Sequence, residues 1–207
     1  MTKIDLSKID KTYYTAKQKP ELVTLAPVQY LSIAGQGDPS SKGFAECIEA
    51  LYSVAYIIKF DWKAAEKDFV VPKLEGQWWF DEDKYGGVSM TDAPTKIPRS
   101  EWMFRLLKRL PEFVEKENIT TAASNVVSKK GMELARQVKY FEMNEGNVVQ
   151  ILHVGPFDKE PESLGKLQGF IEANGLKRNG LHHEIYLSDF RKTAAQKLKT
   201  ILREPIK

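Results

Sequence analysis

Apolar and polar positions along the chain follow two rhythms. Over Thr24 to Gly35 they alternate, with Val28, Tyr30 and Ser32 to one side, Gln29, Leu31 and Ile33 to the other, and Gly35 and Gly37 closing the run. Period-two alternation predicts a strand. After Asp38-Pro39-Ser40-Ser41, a capping sequence, Phe44, Ile48, Leu51, Ala55 and Ile58 recur every three or four residues. That stripe predicts a helix to about Lys59. Strand-like runs then cover Phe69 to Phe80 and Glu101 to Leu110, and the Gly-, Asp- and Pro-rich stretch Asp81 to Pro98 reads as a hairpin connection.

The second half repeats this order. Pro111 to Lys130 reads as a helix or helix pair joining the halves. Leu134 to Met143 and Val148 to Val154 read as strands around a hairpin turn at Asn144-Glu145-Gly146-Asn147. A helix begins near Pro161, carries Leu164, Leu167, Phe170 and Ile171 on one face, and stops at Asn174-Gly175. His182 to Leu187 reads as a strand and Ala194 to Leu202 as a short closing helix. Val28-Gln29-Tyr30-Leu31 recurs as Val149-Gln150-Ile151-Leu152, 121 positions on, and each copy precedes a glycine, an amphipathic helix and a strand carrying a glutamate, Glu75 or Glu184. The expectation is one α+β domain, 1–207, with a polar, loose arm at 1–20, pseudo-repeats at 23–110 and 132–205, and a helical linker at 111–131. A duplicated unit implies pseudo-two-fold symmetry, helices outside and a groove where the halves meet.

Composition removes several functions. Hydrophobic residues are 42% and charged residues 29% of 207, with a net charge of +3 spread along the chain, so neither disorder nor a nucleic-acid surface is indicated. The single cysteine, Cys47, excludes an internal disulfide and sits in the apolar stripe of the first helix, as a buried thiol would. The N-terminus lacks the apolar core of a signal peptide and no run is long enough to cross a bilayer, so the expected location is the cytoplasm. His153, His182 and His183 have no metal-ligand spacing and read as structural, each pairing with a backbone carbonyl. Gly35-Gln36-Gly37 is a weak phosphate cradle, lacking a third glycine.

Two clusters carry candidate chemistry. In His182-His183-Glu184-Ile185-Tyr186-Leu187-Ser188-Asp189, alternation puts Glu184, Tyr186 and Ser188 on one face. His183, Ile185 and Leu187 take the other, expected to pack on the Leu164–Ile171 helix. A carboxylate beside a phenol in a groove can serve as a general base next to a hydrogen-bond donor; the same pair can also be a solvated strand face. In Leu74-Glu75-Gly76-Gln77-Trp78-Trp79-Phe80 the two tryptophans face opposite ways, and Trp102 and Phe104 alternate on the neighbouring strand. These aromatics line a ligand site or fill the core. Gly76 permits close approach to the backbone. Glu75 and Tyr85 complete the candidate set.

The run from Leu74 to Trp79, the Val148 to Pro156 strand and turn, and His182 to Asp189 with Phe190-Arg191-Lys192-Thr193 and the final Lys-Leu-Lys-Thr-Ile-Leu resemble stand-alone GyrI-like small-molecule-binding proteins. The resemblance covers nearly the whole chain after Leu22. It implies two tandem strand–helix–strand–strand modules, antiparallel sheets and a central ligand cleft, the fold of effector-binding domains in bacterial multidrug-responsive activators. Some members hydrolyse cyclopropyl-dienone toxins that alkylate DNA. On that pattern Glu184 would deprotonate water, Tyr186 would hydrogen-bond the dienone oxygen, and Trp79 and Trp102 would sandwich a flat substrate. The expectation is therefore a monomer that binds a flat aromatic or lipophilic molecule and hydrolyses strained electrophiles, with no cofactor, metal, nucleic acid or membrane. The alternative is a non-catalytic module that sequesters flat lipophilic or cationic drugs. Transcription regulation is disfavoured, since the polar arm is too short for a helix-turn-helix.

Overall fold

The computed structural model describes residues 3–89 and 91–207; the first two residues of the expected arm, and Met90 in the expected hairpin connection, lie outside them. Two helical turns, α1 (Leu6–Ile9) and α2 (Lys11–Tyr14), lead into β1 (Glu21–Leu25) and β2 (Val28–Gln36). Helix α3 (Lys42–Ala64), capped by the Ser41 side chain, is followed by β3 (Leu74–Trp79), α4 (Glu82–Tyr85), α5 (Ala93–Lys96) and β4 (Met103–Arg109). Helix α6 (Lys116–Lys130) leads to β5 (Lys139–Met143), β6 (Gly146–Val154), α7 (Glu160–Ala173), β7 (His182–Tyr186) and β8 (Lys199–Pro205). The strands form an antiparallel eight-stranded sheet in the order β1-β6-β8-β7-β3-β4-β2-β5.

The duplication is visible in this order. Reading outward from the β3–β7 contact, each half contributes the same three strands, and β1 and β5 close the edges. Counterpart elements β1 and β5, β2 and β6, and the starts of α3 and α7 are each 118 positions apart. The offset falls to 108 at β3 and β7 and to 96 at β4 and β8, since α7 is shorter and the second half lacks the α4–α5 connection. Val28-Gln29-Tyr30-Leu31 thus corresponds to Gly146-Asn147-Val148-Val149. Its likeness to Val149-Gln150-Ile151-Leu152 is three residues out of register.

Several local expectations are corrected. The run Thr24 to Gly35 is two strands, because Pro27 offers no N–H to a ladder and the chain changes partners there: β1 pairs with β6, and β2 with β4 and β5. For the same reason Asn144 to Asn147 is no hairpin; β5 joins β2 and β6 joins β1, so each half's leading strand extends the other half's sheet. The expected closing helix Ala194 to Leu202 is largely strand β8. Lying between β6 and β7 and buried on both faces, β8 has no alternation to show, and Leu198 and Leu202 fall four apart by chance.

Helices α3, α6 and α7 cover one face of the sheet. The apolar side of α3 meets Leu31, Ile33, Phe104 and Leu106, and Leu164, Leu167 and Ile171 of α7 meet Val149, Ile151 and Leu202. Ile185 faces the opposite way, against Tyr13, Tyr30, Leu107 and Ile201, instead of packing on α7. Nor is the arm loose. Tyr13 and Tyr14 are 2% and 4% exposed, because that second face holds ionised groups that need their hydroxyls.

Those groups form one closed network. Glu75 accepts from the Tyr13 hydroxyl at 2.5 Å and from His183 Nε2 at 3.1 Å, and Tyr13 also meets the Tyr30 hydroxyl at 2.6 Å. His183 Nδ1 reaches Glu145 at 3.0 Å, and Glu145 accepts from Arg203 at 3.2 Å. Arg203, fully buried, donates further to Gln150 at 2.9 Å and to the Tyr13 carbonyl at 2.8 Å. With a carboxylate at each nitrogen the His183 ring must donate twice and is an imidazolium, and its pKa is raised although burial opposes the charge. Burial likewise works against ionisation of Glu145, yet His183 and Arg203 hold it down at about 2. Removing one partner of such a set strands a buried charge, at about 3–5 kcal/mol.

Glu145→Gln should therefore destabilise the protein by about that amount at neutral pH, read from urea unfolding. Because the folded pKa of Glu145 is depressed, its contribution is complete above the ordinary carboxylate range and fades as pH falls towards about 2. The stability gap between wild type and variant should shrink over that acid interval; a constant or absent gap would contradict the network's role.

Candidate active site

The helix side of the β3–β7 ladder is left open between α3 and α7, which makes a cleft of about 370 Å³. Its floor is the alternating trio His182, Glu184 and Tyr186 of β7. Its walls are Phe44 from α3, Trp78 from β3, Trp102 ahead of β4, Leu164 from α7, and Phe157 and Phe190 from loops. Phe44 and Trp78 stack at 5.7 Å between centroids, and Trp102 meets Trp78 edge-on at 6.1 Å. Ring faces and edges of this kind suit a flat apolar molecule.

Gly76 stands directly opposite Glu184 in the ladder. An ideal Cβ there would lie 3.0 Å from both Trp78 Nε1 and the Tyr186 hydroxyl, so the glycine makes room for the bond between those groups, also 3.0 Å. Tyr186 in turn donates to Glu184 Oε2 at 2.6 Å. The other carboxylate oxygen meets His182 Nε2 at 3.2 Å, while His182 Nδ1 meets Glu204 at 2.7 Å and Glu204 accepts from Arg178 at 2.7 Å. Burial alone would push the His182 pKa down, but Glu204 and Glu184 on either side raise it to about 10. The ring is a cation at neutral pH. Burial and the charge of Glu184 push the Tyr186 phenol well above its ordinary range, which keeps its proton in place.

A second carboxyl lies in the cleft. Glu160, the first residue of α7, is 9% exposed, and its Oε1 has no hydrogen-bond partner among the described residues. Burial, then the charge of Glu184, raise its pKa well above the ordinary carboxyl range. No sequence pattern marks Glu160, and His182 reads from sequence as structural only. The only signal for His182 was its place two residues before Glu184 on the same strand face.

The structure divides the sequence candidates. Glu184, Tyr186, Trp78 and Trp102 come together in the cleft. Trp79 points to the other face, near Arg105 at 5.7 Å, so it does not share the cleft with Trp102; alternation puts its neighbour Trp78 there, edge-on to Trp102. Phe104 is buried behind the wall, 4.9 Å from Phe44 and tight against Gly35. Tyr85 packs on Phe80 in the α4–α5 connection, and Glu75 belongs to the sealed network of the second face. His182 and His183 pair with carboxylates, not carbonyls; of the three histidines, His153 meets a carbonyl, that of Pro156, at 3.2 Å. Among the described residues no cluster of His, Cys, Asp and Glu could hold a metal ion, and no helix is long and apolar enough to cross a membrane.

Fold and cleft together define an α+β small-molecule-binding protein. A family model described as a GyrI-like small molecule binding domain matches residues 106–207. An uncharacterized conserved protein from Listeria innocua is 35% identical, covers 99% of this chain and 100% of its own, and superposes with a TM-score of 0.87. A protein described as a hydrolase from the same organism is 34% identical, with 99% and 100% covered and a TM-score of 0.84. The EcmrR C-terminal domain shares the fold at 12% identity, over 91% of this chain and 97% of its own, with a TM-score of 0.56. No curated protein matches the chain. The chain belongs to the GyrI-like family.

The flanked geometry of His182 can be read directly. Its ring resonances should stay those of an imidazolium through neutral pH in an NMR titration, and Glu204→Gln should bring its titration down towards the ordinary histidine range. A wild-type ring that titrates near neutrality would show that the two carboxylates do not hold it.

Proposed function

We propose that the cleft hydrolyses a flat, neutral, strained electrophile of the cyclopropyl-dienone type, and so removes a DNA-alkylating toxin. The observation that carries this reading is Glu184: a carboxylate on the floor of an aromatic cleft, held at one oxygen by Tyr186 and at the other by His182. Each oxygen keeps a lone pair that can accept a proton from water. A flat substrate lying against the walls that Trp78 and Trp102 form would place its cyclopropane above that water. Attack on the ring carbon opens the strained C–C bond and the electrons move to the dienone oxygen as the ring aromatises. Proton removal by a positioned base contributes about 10²–10⁴-fold, and strain relief provides much of the rest. The 34% identical Listeria hydrolase, matching over its whole length, supports the reaction class.

Tyr186 takes a different part from the one expected of it. Its proton is already committed to Glu184 and its oxygen accepts from Trp78, so it positions the base and has no proton left for the dienone. Sequestration of a cationic drug, with Glu184 as counter-ion, is less well supported, because His182 already supplies that cation.

Incubation with a cyclopropyl-dienone alkylator, followed by absorbance, tests the proposal. Glu184→Gln should lower kcat by about 10²–10⁴-fold, while tryptophan quenching shows the dienone still bound. Quenching without turnover in wild type would leave a binding protein, and undiminished turnover in the variant would remove Glu184 from the reaction.

A further inference from the structure

Opening a cyclopropyl-dienone needs two proton movements, one from water and one to the dienone oxygen. Glu184 answers the first. Tyr186, committed on both sides, does not answer the second. Glu160 has the geometry that is missing: it enters the cleft from the start of α7, is nine-tenths buried, and leaves Oε1 without a partner among the described residues. A buried polar atom with no partner costs free energy, and a ligand oxygen placed against it would recover that cost.

We infer that Glu160 is the proton donor of the cleft, presenting its carboxylic acid to an oxygen atom of the bound molecule. This rests on the hydrolase reading for its chemical consequence. Water attacks the cyclopropane carbon and gives its proton to Glu184. A C–O bond forms, the strained C–C bond breaks, and its electron pair passes through the dienone to the oxygen. That oxygen takes the proton of Glu160 and leaves as a phenol. The net change is addition of one water; Glu184 ends protonated, Glu160 ends ionised, and proton exchange through solvent restores both. The ligand class follows: a flat molecule bearing a carbonyl acceptor, not a cation.

The surroundings keep the proton on Glu160. Facing it are His182, Glu184 and Tyr186 of β7, the Thr200 hydroxyl of β8 and, across the cleft, Arg99. Burial and Glu184 disfavour its ionisation; they are opposed by His182, already shared between two other carboxylates, and by a hydrogen bond with the Thr200 hydroxyl, and the direction they set is upward. His153 of β6 is engaged by Ser163 and the Pro156 carbonyl. A carboxyl held neutral beside a carboxylate bound by His182 and Tyr186 lets the two divide acid and base roles between them.

Infrared difference spectroscopy at neutral pH, wild type minus Glu160→Gln, should show the carbonyl stretch of a protonated carboxyl. Its absence overturns the inference whatever the activity. Glu160→Gln should also lower kcat on the dienone by about 10²-fold or more with little change in KM. A protonated carboxyl with undiminished kcat in the variant overturns the donor role. If wild type does not turn the dienone over, the hydrolase reading fails on its own. Quenching by the intact dienone then decides: Glu160→Ala should bind it about tenfold more weakly, and equal affinity overturns the inference.

Discussion

Where β3 meets β7 the two halves of the chain share a ladder, and both faces of that ladder are committed. On the helix side, Gly76 against Glu184 clears the space in which Trp78, Tyr186 and Glu184 bond to one another. On the other side Glu75 and His183 begin the network that runs through Glu145 to Arg203 and Gln150. A shift of one residue in this pairing would exchange the faces of every side chain, moving the carboxylate of the cleft into the sealed layer. The crossed partners β1–β6 and β5–β2 lock the register from the two edges of the sheet.

The two adjacent histidines show how alternation makes different environments from similar parts. His182 lies between Glu184 and Glu204, and His183 between Glu75 and Glu145. Both are held as cations by flanking carboxylates against the cost of burial. They differ in what lies beyond. His183 is closed over by Tyr13 and the N-terminal arm and serves stability, whereas Glu184 beside His182 looks into an open cleft. Buried charge is structural in one case and available for chemistry in the other, and burial of the last oxygen decides which.

The halves have also divided the labour. Counterparts across the pseudo-axis are Leu74 and His182, Gly76 and Glu184, and Trp78 and Tyr186, each 108 positions apart. The first half supplies the walls Phe44, Trp78 and Trp102; the second adds Phe157 and Phe190 and supplies Glu160, His182, Glu184 and Tyr186. Since α7 has 14 residues against 23 in α3, the second half covers less of the sheet and leaves the ladder open on the side where its carboxyls lie.

Much of this was legible in the chain itself. The stripe of α3, the alternation around Glu184 and Tyr186, and the repeated strand–helix–strand order are local patterns, and local patterns follow from backbone geometry. Gly76 within a strand signalled close approach, and something does approach there. Other features were decided only in three dimensions. No periodicity marks β8, because a central strand is buried on both faces. The crossing of β1 and β5 depends on partners more than a hundred residues away, and so does the choice of Trp78 over Trp79 for the cleft. Tyr13 belongs by sequence to a polar arm, yet Glu75 takes its hydroxyl, and nothing local marks Glu160, which meets the charge of Glu184 only in the fold. Sequence determined which residues share a face; tertiary structure decided which face is wet, because burial and charge depend on neighbours that are remote along the chain.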